Sequence, residues 1–538
     1  MEESTPREPR PWSKKAPEGK EWDVIVIGSG IGGMTTAALL SKMGKKVLVL
    51  EQHYVPGGFT HTFRRKGFVW DVGVHISGEV TEKALPGRIL KYAAPDLKWE
   101  KIPGIYDEFT FPEGFKIGFA SDPKEFAATL KAAFPHEAEG VDLYMAEIRN
   151  TVRAMRNFYL GQILPGRLGR FAGRLISREA AQLFATPASQ VVDRIFKDPK
   201  IKAVVLAQWG YHGAVPSEAS WAMQALTVRH FMHGAYYPVG GAGSIAKSLL
   251  KTVAEAGGWT RICADVDHIL IENGRASGVR MVDGETIRAR RVVSAAGAWT
   301  TATRLLPPEF RDEAWAQKMG KHRAGPAHLS LYLGFEGDIA SAGATKNCQW
   351  FYNTWDYERP NWEVAPGKKV GRPDILFTSY PSLKDPEHSP GPKQKHTGEI
   401  ITFVPWESFQ KWQGTEWRKR GEDYEAFKEE MSQAMLAVVF EAHPGLKPML
   451  VHYELSTPLS TDKFARPYHG SIYGLLPTPE RYSDKWLRPQ TPIPGLYQSG
   501  SDVATCGVIG AMMGGTLAAV AMEPIKGARF MNQVIRGR

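Results

Sequence analysis

Three glycines near the start of the chain have the spacing of a dinucleotide-binding turn. Gly28, Gly30 and Gly33 follow the pattern G-x-G-x-x-G. In that pattern the first glycine permits a sharp turn, the second lets the backbone approach a pyrophosphate, and the third lets a helix pack closely on a strand. Glu51 follows 18 residues after Gly33, and its carboxylate can accept hydrogen bonds from ribose hydroxyls. These residues predict a bound adenine dinucleotide.

The elements that must position these groups follow in the required order. Val24–Ile27 is a continuous apolar run, which is typical of a parallel strand buried on both faces. Thr35–Lys45 predicts a helix and Val47–Leu50 predicts the next buried strand, with Glu51 at its end. A glycine-rich turn without a ligand is the alternative, but strand, turn, helix, strand and acid in succession favour the dinucleotide.

Two later glycine-containing segments extend this predicted site beyond the phosphates. Gly57 and Gly58 come soon after the ribose-binding acid and predict a second approach of the backbone to the cofactor. Nicotinamide-binding folds do not need this approach, whereas a flavin enzyme must carry its ring system into the interior. Thr491–Gly515 predicts a strand, a turn through Asp502 and a helix that begins near Gly507. A helix N-terminus aimed at a flavin stabilises negative charge on the reduced ring.

The composition is that of an ordinary globular protein with an excess of basic residues. The 538 residues carry a formal net charge of +10, which suits anionic membranes, phosphorylated ligands or nucleic acid. No nucleic-acid-binding signature accompanies the charge, so no nucleic-acid partner is predicted. The three cysteines are far apart and indicate neither a disulfide framework nor a metal site. We therefore expect no metal and a reducing, cytoplasmic location.

Three segments bear on membrane association. Residues 1–20 are rich in proline and charge and lack an apolar core, which predicts a disordered leader rather than a signal peptide. Val503–Met522 is uncharged and long enough to span a bilayer, but its glycines favour a helix packed against the cofactor. Residues 149–178 contain seven arginines, no acidic residue and many apolar side chains. Membrane-facing helices and a solvated helical pair explain that pattern equally well.

The remaining patterns divide the chain into two predicted domains of an α/β protein. Residues 21–85, 235–300 and 485–538 are assigned to a discontinuous, Rossmann-like FAD-binding domain. Residues 86–234 and 301–484 are assigned to an α+β substrate domain with a mixed sheet and helices. Alternating apolar residues predict the strands of that sheet at His328–Phe335, Ile375–Tyr380, Glu399–Trp406 and Met449–Leu455.

Seven groups of motifs together resemble those of the flavin amine oxidase and phytoene desaturase superfamily. They are VIVIGSGIGG, LEQHYVPGGFTHTF, WDVGVHI, GYHGAVPSEASWAMQAL, YYPVGGAGSIA, SYPSLKDP with EIITFVPW, and GLYQSGSDVATCGVIGAMMGG. Their order is kept, and they span almost the whole chain after Glu21. Within the superfamily the resemblance is to the branch of all-trans-retinol 13,14-reductases and carotenoid isomerases. It implies a noncovalently bound FAD.

The resemblance also implies which residues hold FAD. The pyrophosphate would lie at Gly28, Ser29, Gly30, Gly32 and Gly33, and the adenosine ribose at Glu51. Val266 would lie at the adenine and Asp502 beside the ribityl and phosphate portion. The other residues expected along the cofactor are Gln52, Gly57, Gly58, Thr60, Gly297 and Val508.

The main functional hypothesis is reduction of a carbon–carbon double bond in an apolar polyene such as a retinoid, a carotenoid or an unsaturated lipid. The flavin would deliver hydride to one carbon, and a protein group or water would protonate the other. The candidate proton donors are His75, Tyr211, His212 and Tyr473. Desaturation and cis–trans isomerisation at the same site remain open, and the sequence makes no prediction of oligomeric state.

Two further points concern electron supply and a different class of function. No second nucleotide fingerprint is present, so NAD(P)H, if it is the electron donor, would bind only transiently, or a partner would supply the electrons. A flavin-free chaperone of prenylated proteins, similar to the Rab GDP-dissociation inhibitors, is the alternative from another class. The intact glycine fingerprint, Glu51 and the C-terminal flavin segment argue against it.

Overall fold

The computed structural model describes residues 10–163, 178–359 and 361–537. The described strands form two seven-stranded sheets and two pairs of short strands. The longer described helices are α1 (Ile31–Lys42), α2 (Leu85–Ala93), α3 (Pro123–Ala133), α4 (Ala138–Ile163), α5 (Arg178–Ala185), α6 (Ala188–Ile195), α7 (Pro199–Leu206), α8 (Trp221–Phe231), α9 (Gly243–Glu255), α10 (Ala314–Gly320), α11 (Glu422–Ala442), α12 (Pro458–Phe464), α13 (Pro479–Ser483), α14 (Gly507–Met522) and α15 (Pro524–Ile535).

The first sheet is built around β1 (Trp22–Ile27), whose apolar side chains are buried on both faces. β1 pairs in parallel with β2 (Val47–Leu50) on one side and with β12 (Thr286–Ser294) on the other. The other strands of this sheet are β9 (Trp259–Arg261) beside β2, β18 (Leu496–Gln498) beside β12, and the antiparallel hairpin β10 (Val266–Glu272) and β11 (Arg275–Met281). The strands predicted on either side of the glycine turn are thus confirmed.

On one face of this sheet α1 packs between α9 and α14. Glycines permit the contact with α14, since a Cβ on Gly515 would lie 2.3 Å from the carbonyl oxygen of Gly32. A Cβ on Gly514 would lie 2.0 Å from the carbonyl oxygen of Gly500. The uncharged helix α14 is therefore buried inside the protein, as expected for Val503–Met522. Among the residues that the structure describes, no helix is both long and apolar enough to cross a membrane.

The second sheet is mixed and confirms the strands predicted for this part of the chain. Its order is β17 (Leu450–Ser456), β13 (Ala327–Glu336), β16 (Lys395–Val404), β15 (Ile375–Ser379), β14 (Cys348–Tyr352), β6 (Ile105–Thr110) and β7 (Lys116–Ala120). All neighbours are antiparallel except β14 and β6, which are parallel. The predicted fold class, a Rossmann-like α/β unit combined with a mixed sheet and helices, is confirmed.

The two faces of the second sheet bury different clusters because side chains alternate along a strand. Phe377, Ile401 and Phe403 pack in the core that contains residues of α3, α4 and α6–α8. Leu376 and Ile400 point to the opposite face and pack with α11. The first of these faces supplies the aromatic wall of the cleft described below.

A short hairpin carries the chain from the first sheet to the second. Its strands are β3 (Thr62–Arg65) and β4 (Phe68–Asp71). The indole N–H of Trp70 donates to the carbonyl of Leu333 at 2.8 Å and fastens the hairpin to β13. A second pair, β5 (Trp99–Ile102) with β8 (Ala235–Pro238), lies nearby, and Tyr236 of β8 bridges to Ser77. His75 is therefore held between the two sheets.

Residues 10–20 do not form the predicted disordered leader, so that prediction is wrong for them. The N–H of Ser13 donates to the carbonyl of Thr260 at 3.2 Å, and its carbonyl accepts from the N–H of Ile262 at 2.9 Å. Trp12 packs against the apolar cluster of the first sheet. The cause is the unpaired edge of β9, whose backbone groups bind the incoming chain. Residues 1–9 lie outside the described part of the chain.

The fold does not test two of the sequence predictions, namely the membrane-facing basic segment and the division into two domains. The basic segment 149–178 is described only at its ends, where α4 reaches Ile163 and α5 begins at Arg178. Residues 164–177, which include most of its proposed membrane-facing part, lie outside the described residues. The division into an FAD-binding and a substrate-binding domain also stays a prediction, although all strands of the first sheet fall within the segments assigned to the former.

Candidate functional site

A long cleft begins at the carboxyl ends of the parallel strands and ends at the aromatic wall of the second sheet. It encloses about 2200 Å³ of space not filled by protein atoms, its open mouth included. Of the residues predicted from the sequence, the cleft is lined by Gly28, Gly30, Gly32, Gly33, Glu51, Gln52, Gly57, Gly58, Thr60, His75, Tyr211, Val266, Gly297, Tyr473, Asp502 and Val508. Ser29 and His212 do not line it.

The glycine turn has the geometry that the fingerprint requires. Gly28 has φ +95°, a conformation that glycine adopts without strain. A Cβ on Gly33 would lie 2.2 Å from the carbonyl oxygen of Gly28, so a side chain there would separate α1 from the turn. A Cβ on Gly30 would meet no protein atom within 4 Å. The turn therefore leaves open space at Gly30, as a cradle for a phosphate group would.

Glu51 connects the two glycine segments through Ser29. Its Oε2 accepts from the N–H of Ser29 at 2.9 Å and from the Ser29 hydroxyl at 2.6 Å, and its Oε1 accepts from the N–H of His53 at 2.8 Å. The Ser29 hydroxyl in turn accepts from the N–H of Gly57 at 2.9 Å. Ser29 thus positions Glu51 and the second glycine segment rather than lining the cleft.

The second glycine segment approaches the first one closely. Gly57 and Gly58 have φ +128° and +55°, and a Cβ on Gly58 would lie 3.0 Å from the Cα of Gly30. The hydroxyl of Thr60 donates to the carbonyl of Gly57 at 2.8 Å and closes this turn. The second glycine segment therefore lines the cleft beside the first one, and its approach to a cofactor stays a prediction.

Asp502 holds two loops on the far side of the cleft. Its Oδ2 accepts from the N–H of Ala298 at 2.8 Å, and its Oδ1 accepts from the N–H of Leu475 at 3.1 Å. These contacts fix Gly297 after β12 and the loop that contains Tyr473. The N-terminal residues of α14, Gly507 and Val508, line the cleft next to them.

The end of the cleft at Val266, a residue predicted from the sequence, also contains residues that the sequence did not reveal. Asp265 and Val266 line it, and Nη1 of Arg466 donates to both carboxylate oxygens of Asp265 at 2.8 Å. The rings of Trp299 and Tyr468 stack at 4.1 Å beside them. These partners are far apart in the chain and belong to no motif, so only the fold brings them together.

The opposite end of the cleft is apolar and aromatic. Trp350 and Phe377 meet edge to face with ring centroids 4.8 Å apart. The ring of His75 lies 5.0 Å from Phe377, and that of Tyr211 lies 5.1 Å from Trp350. The other apolar residues of this wall are Ile375, Ile401, Phe403 and Ile472. The compartment fits an apolar molecule, and few polar atoms enter it.

The four candidate proton donors differ in what they contact. His75 lines the apolar end, and its Nδ1 lies 3.0 Å from Oε2 of Glu399. The Tyr211 hydroxyl donates to Oδ1 of Asp107 at 2.7 Å, and the Tyr473 hydroxyl donates to the carbonyl of Gly210 at 3.0 Å. His212 is fully buried away from the cleft, and its Nε2 lies 2.9 Å from Oε1 of Gln224.

Burial dominates the electrostatics behind the apolar end. It raises the pKa of Glu399 well above its usual range and that of Asp107 to about 6. Burial, together with the charge of Lys384, lowers the pKa of His75 to about 3. Lys384 is itself buried, and its Nζ donates to the His75 carbonyl at 3.0 Å and to the hydroxyl of Ser379 at 2.8 Å. None of the three residues Glu399, Asp107 and Lys384 was among the site residues predicted from the sequence.

Asp71 leads to a prediction about pH and stability. Burial, reinforced by nearby Glu399, raises the pKa of Asp71 from 3.8 to about 7. Because the folded protein then binds this proton more tightly than the unfolded chain, the free energy of unfolding should fall as the pH rises from about 4 through about 7. We expect this carboxyl to account for roughly 2–4 kcal/mol of that fall.

The variant Asp71→Asn should flatten this part of the pH dependence. The amide oxygen can still accept from the N–H of Ala242, and the amide nitrogen can donate to the Tyr237 hydroxyl in place of the present contact. Urea unfolding at about pH 4.5, 6 and 7.5 measures the effect. An identical slope of stability against pH in both proteins would show that Asp71 is not the titrating group.

The chain is similar to known flavoproteins along nearly its whole length. Residues 31–522 match the family described as flavin containing amine oxidoreductase. An all-trans-retinol 13,14-reductase from Danio rerio is 32% identical, with 93% of this chain and 86% of the relative covered. A protein from the same fish named inactive all-trans-retinol 13,14-reductase is 30% identical, with 92% and 85% covered. A chloroplastic prolycopene isomerase from Daucus carota is 30% identical, with 89% and 76% covered.

The fold is shared with a solved amine oxidase. Putrescine oxidase bound to putrescine superposes on 94% of this chain and 99% of its own, with a TM-score of 0.61 and 17% identity. At that identity the likeness shows the fold alone. The match of residues 31–522 and the relatives at 30% identity or more show the family itself. The chain therefore belongs to the flavin containing amine oxidoreductase family, as its motifs predicted, and its cofactor is a flavin.

Proposed function

We propose that this protein is an FAD-dependent oxidoreductase that reduces a carbon–carbon double bond of an apolar polyene lipid. One observation carries the proposal: a single cleft joins a glycine-lined end at the first sheet to an aromatic end at the second. The first end suits a polar dinucleotide, and the second suits an apolar chain. The relatives named for retinol and prolycopene support a polyene as that chain.

The residues present fit FAD at the glycine-lined end. Gly30 leaves open space at the turn, Glu51 lies after β2 where a ribose would bind, and Val266 lines the cleft where the adenine would lie. FAD, when bound, supplies hydride exchange with a carbon–carbon bond. The protein would hold the nucleotide through backbone N–H groups, while Trp350 and Phe377 exclude water and orient the alkene.

The proposal also includes a source of electrons and a second candidate reaction. The chain carries one dinucleotide fingerprint, so NAD(P)H would act as a transient electron donor. Isomerisation without net redox change is the second candidate, and the relative named prolycopene isomerase favours it.

Anaerobic turnover with a panel of polyenes tests the function. The protein is reconstituted with FAD, reduced with dithionite, freed of excess reductant and mixed with all-trans-retinol, a carotenoid or prolycopene. We expect a product that has gained two hydrogens together with reoxidation of the flavin, whereas the oxidised enzyme should give none. A change of isomer without a change of mass would support the isomerase, and a protein that stays colourless after reconstitution would contradict a flavin enzyme.

A further inference from the structure

His75 is the one predicted proton donor at the apolar end that keeps a polar atom available to the cleft. The hydroxyls of Tyr211 and Tyr473 already donate hydrogen bonds to the Asp107 carboxylate and to the Gly210 carbonyl. His75 approaches Glu399 through Nδ1, which is buried and makes no hydrogen bond of good geometry. Nε2 is not among the buried atoms without a partner, and no hydrogen bond to it is formed within the described part of the chain. A proton on Nε2 would therefore be free to leave toward a substrate in the cleft that His75 lines.

Glu399 lies behind His75 and is shut off from solvent. Only 1% of its side chain is exposed, and neither carboxyl oxygen has a hydrogen-bond partner of good geometry among the described residues. The 3.0 Å approach to Nδ1 is close but not aligned, and catalytic hydrogen bonds commonly align only once substrate is bound. A buried carboxyl without a well-aligned partner is costly, and the backbone of Asp71 offsets only part of the burial that raises the pKa of Glu399.

The groups that face this pair come from several elements. Lys384, the last residue of the short helix Pro381–Lys384 after β15, donates to the His75 carbonyl and attracts a negative charge on Glu399. Asp71 of β4 and His328 of β13 also interact electrostatically with His75. A negative charge on Glu399 also raises the pKa of the Tyr332 hydroxyl on β13. The pair thus has one cation beside it that can stabilise a carboxylate when Glu399 loses its proton.

We propose that Glu399 and His75 form a proton-transfer pair for the reaction proposed above, in which His75 is the catalytic acid and Glu399 is its positioning and recharging partner. Before transfer, Glu399 is a neutral acid whose proton faces Nδ1, and His75 is neutral with its proton on Nε2. As hydride reaches one alkene carbon, the Nε2–H bond breaks and a C–H bond forms at the other carbon. The Glu399 proton passes to Nδ1, which leaves a carboxylate beside Lys384.

The hydride and one proton account for both hydrogens that the alkene gains in this step. The alkene gains a hydride and a proton, His75 ends neutral with its proton on Nδ1, and Glu399 ends as a carboxylate that must be reprotonated from solvent. The high pKa of Glu399 and the low pKa of His75 agree with a neutral pair before transfer. An ion pair with a charged imidazole would require the opposite shifts.

The variant Glu399→Gln tests the pair in the holoenzyme. Its amide can donate a hydrogen bond to Nδ1 and hold the ring, but it cannot pass a proton to it. We expect kcat to fall at least about tenfold, with KM and flavin affinity nearly unchanged, and the solvent deuterium isotope effect on kcat to change. The control is Glu336→Gln, which removes an acid of β13 that is paired with Lys393 outside the cleft. A wild-type kcat in Glu399→Gln would overturn the proposal.

A second measurement is independent of turnover. Histidine 15N NMR of the full protein, with the His75 signals assigned by their loss in His75→Gln, reads which ring nitrogen carries the proton. We expect protonation of Nε2 in both the wild type and Glu399→Gln. A proton on Nδ1 in the resting protein would overturn the pair. If Nε2 carries the proton but no polyene is reduced, the result contradicts the proposed substrate class and not the Glu399–His75 pair.

Discussion

Gly30→Val is expected to abolish flavin binding while the apoprotein stays folded. Gly30 has φ −59° and ψ 164°, which a valine adopts without strain, and a Cβ there would meet no protein atom within 4 Å. The added methyl groups would instead fill the space in which we place the pyrophosphate. We expect flavin affinity to fall at least about a hundredfold, or about 2.7 kcal/mol. Flavin fluorescence titration of the apoprotein measures this loss.

The matched control separates loss of the cofactor from loss of the fold. Gly371 also has no atom within 4 Å of a built Cβ, but it lies in an exposed loop away from the cleft. Gly371→Val should therefore bind flavin as the wild type does. In Gly30→Val the apoprotein should lose no more than about 1 kcal/mol, since glycine is the better residue at a helix N-cap. Wild-type flavin affinity in Gly30→Val would show that the phosphates lie elsewhere.

Asp502→Asn is expected to destabilise the apoprotein by about 2–4 kcal/mol and to weaken flavin binding. Both carboxylate oxygens of this buried side chain accept backbone hydrogen bonds, from Ala298 and from Leu475. An asparagine has one acceptor oxygen, and its amide group would face an N–H donor. One buried N–H is then unpaired, and the two loops that line the cleft are no longer held together.

Urea unfolding of the apoprotein and flavin titration measure the two effects of Asp502→Asn. The control is Asp142→Asn on α4, where the carboxylate is 69% exposed and is paired with Lys131. Because exposed ion pairs contribute little, its stability should change by less than about 0.5 kcal/mol. If Asp502→Asn were as stable as this control, the two hydrogen bonds would not be what joins the loops.

Much of the cofactor end could be predicted from the sequence because its signals are local. A buried strand, a turn with positive φ and a helix that packs on glycine each depend on neighbours within a few residues. The turn at Gly28, β1 and β2 therefore agree with expectation. α1 begins at Ile31, earlier than the predicted Thr35, because Gly32 and Gly33 are accommodated in its first turn. Residues 10–20 of the leader were predicted wrongly because their partner, β9, is remote in sequence.

By itself, the sequence determined the family, the glycine turn and the acid that follows the second strand. The tertiary structure decided which candidate side chains line the cleft and which groups they contact. Glu399 reaches His75 across 324 positions of the chain, and Asp107 accepts from Tyr211 through a contact between different elements. No local pattern encodes such pairs, because a hydrogen bond or a pKa depends on which side chains folding brings within a few ångströms and on the water that it excludes.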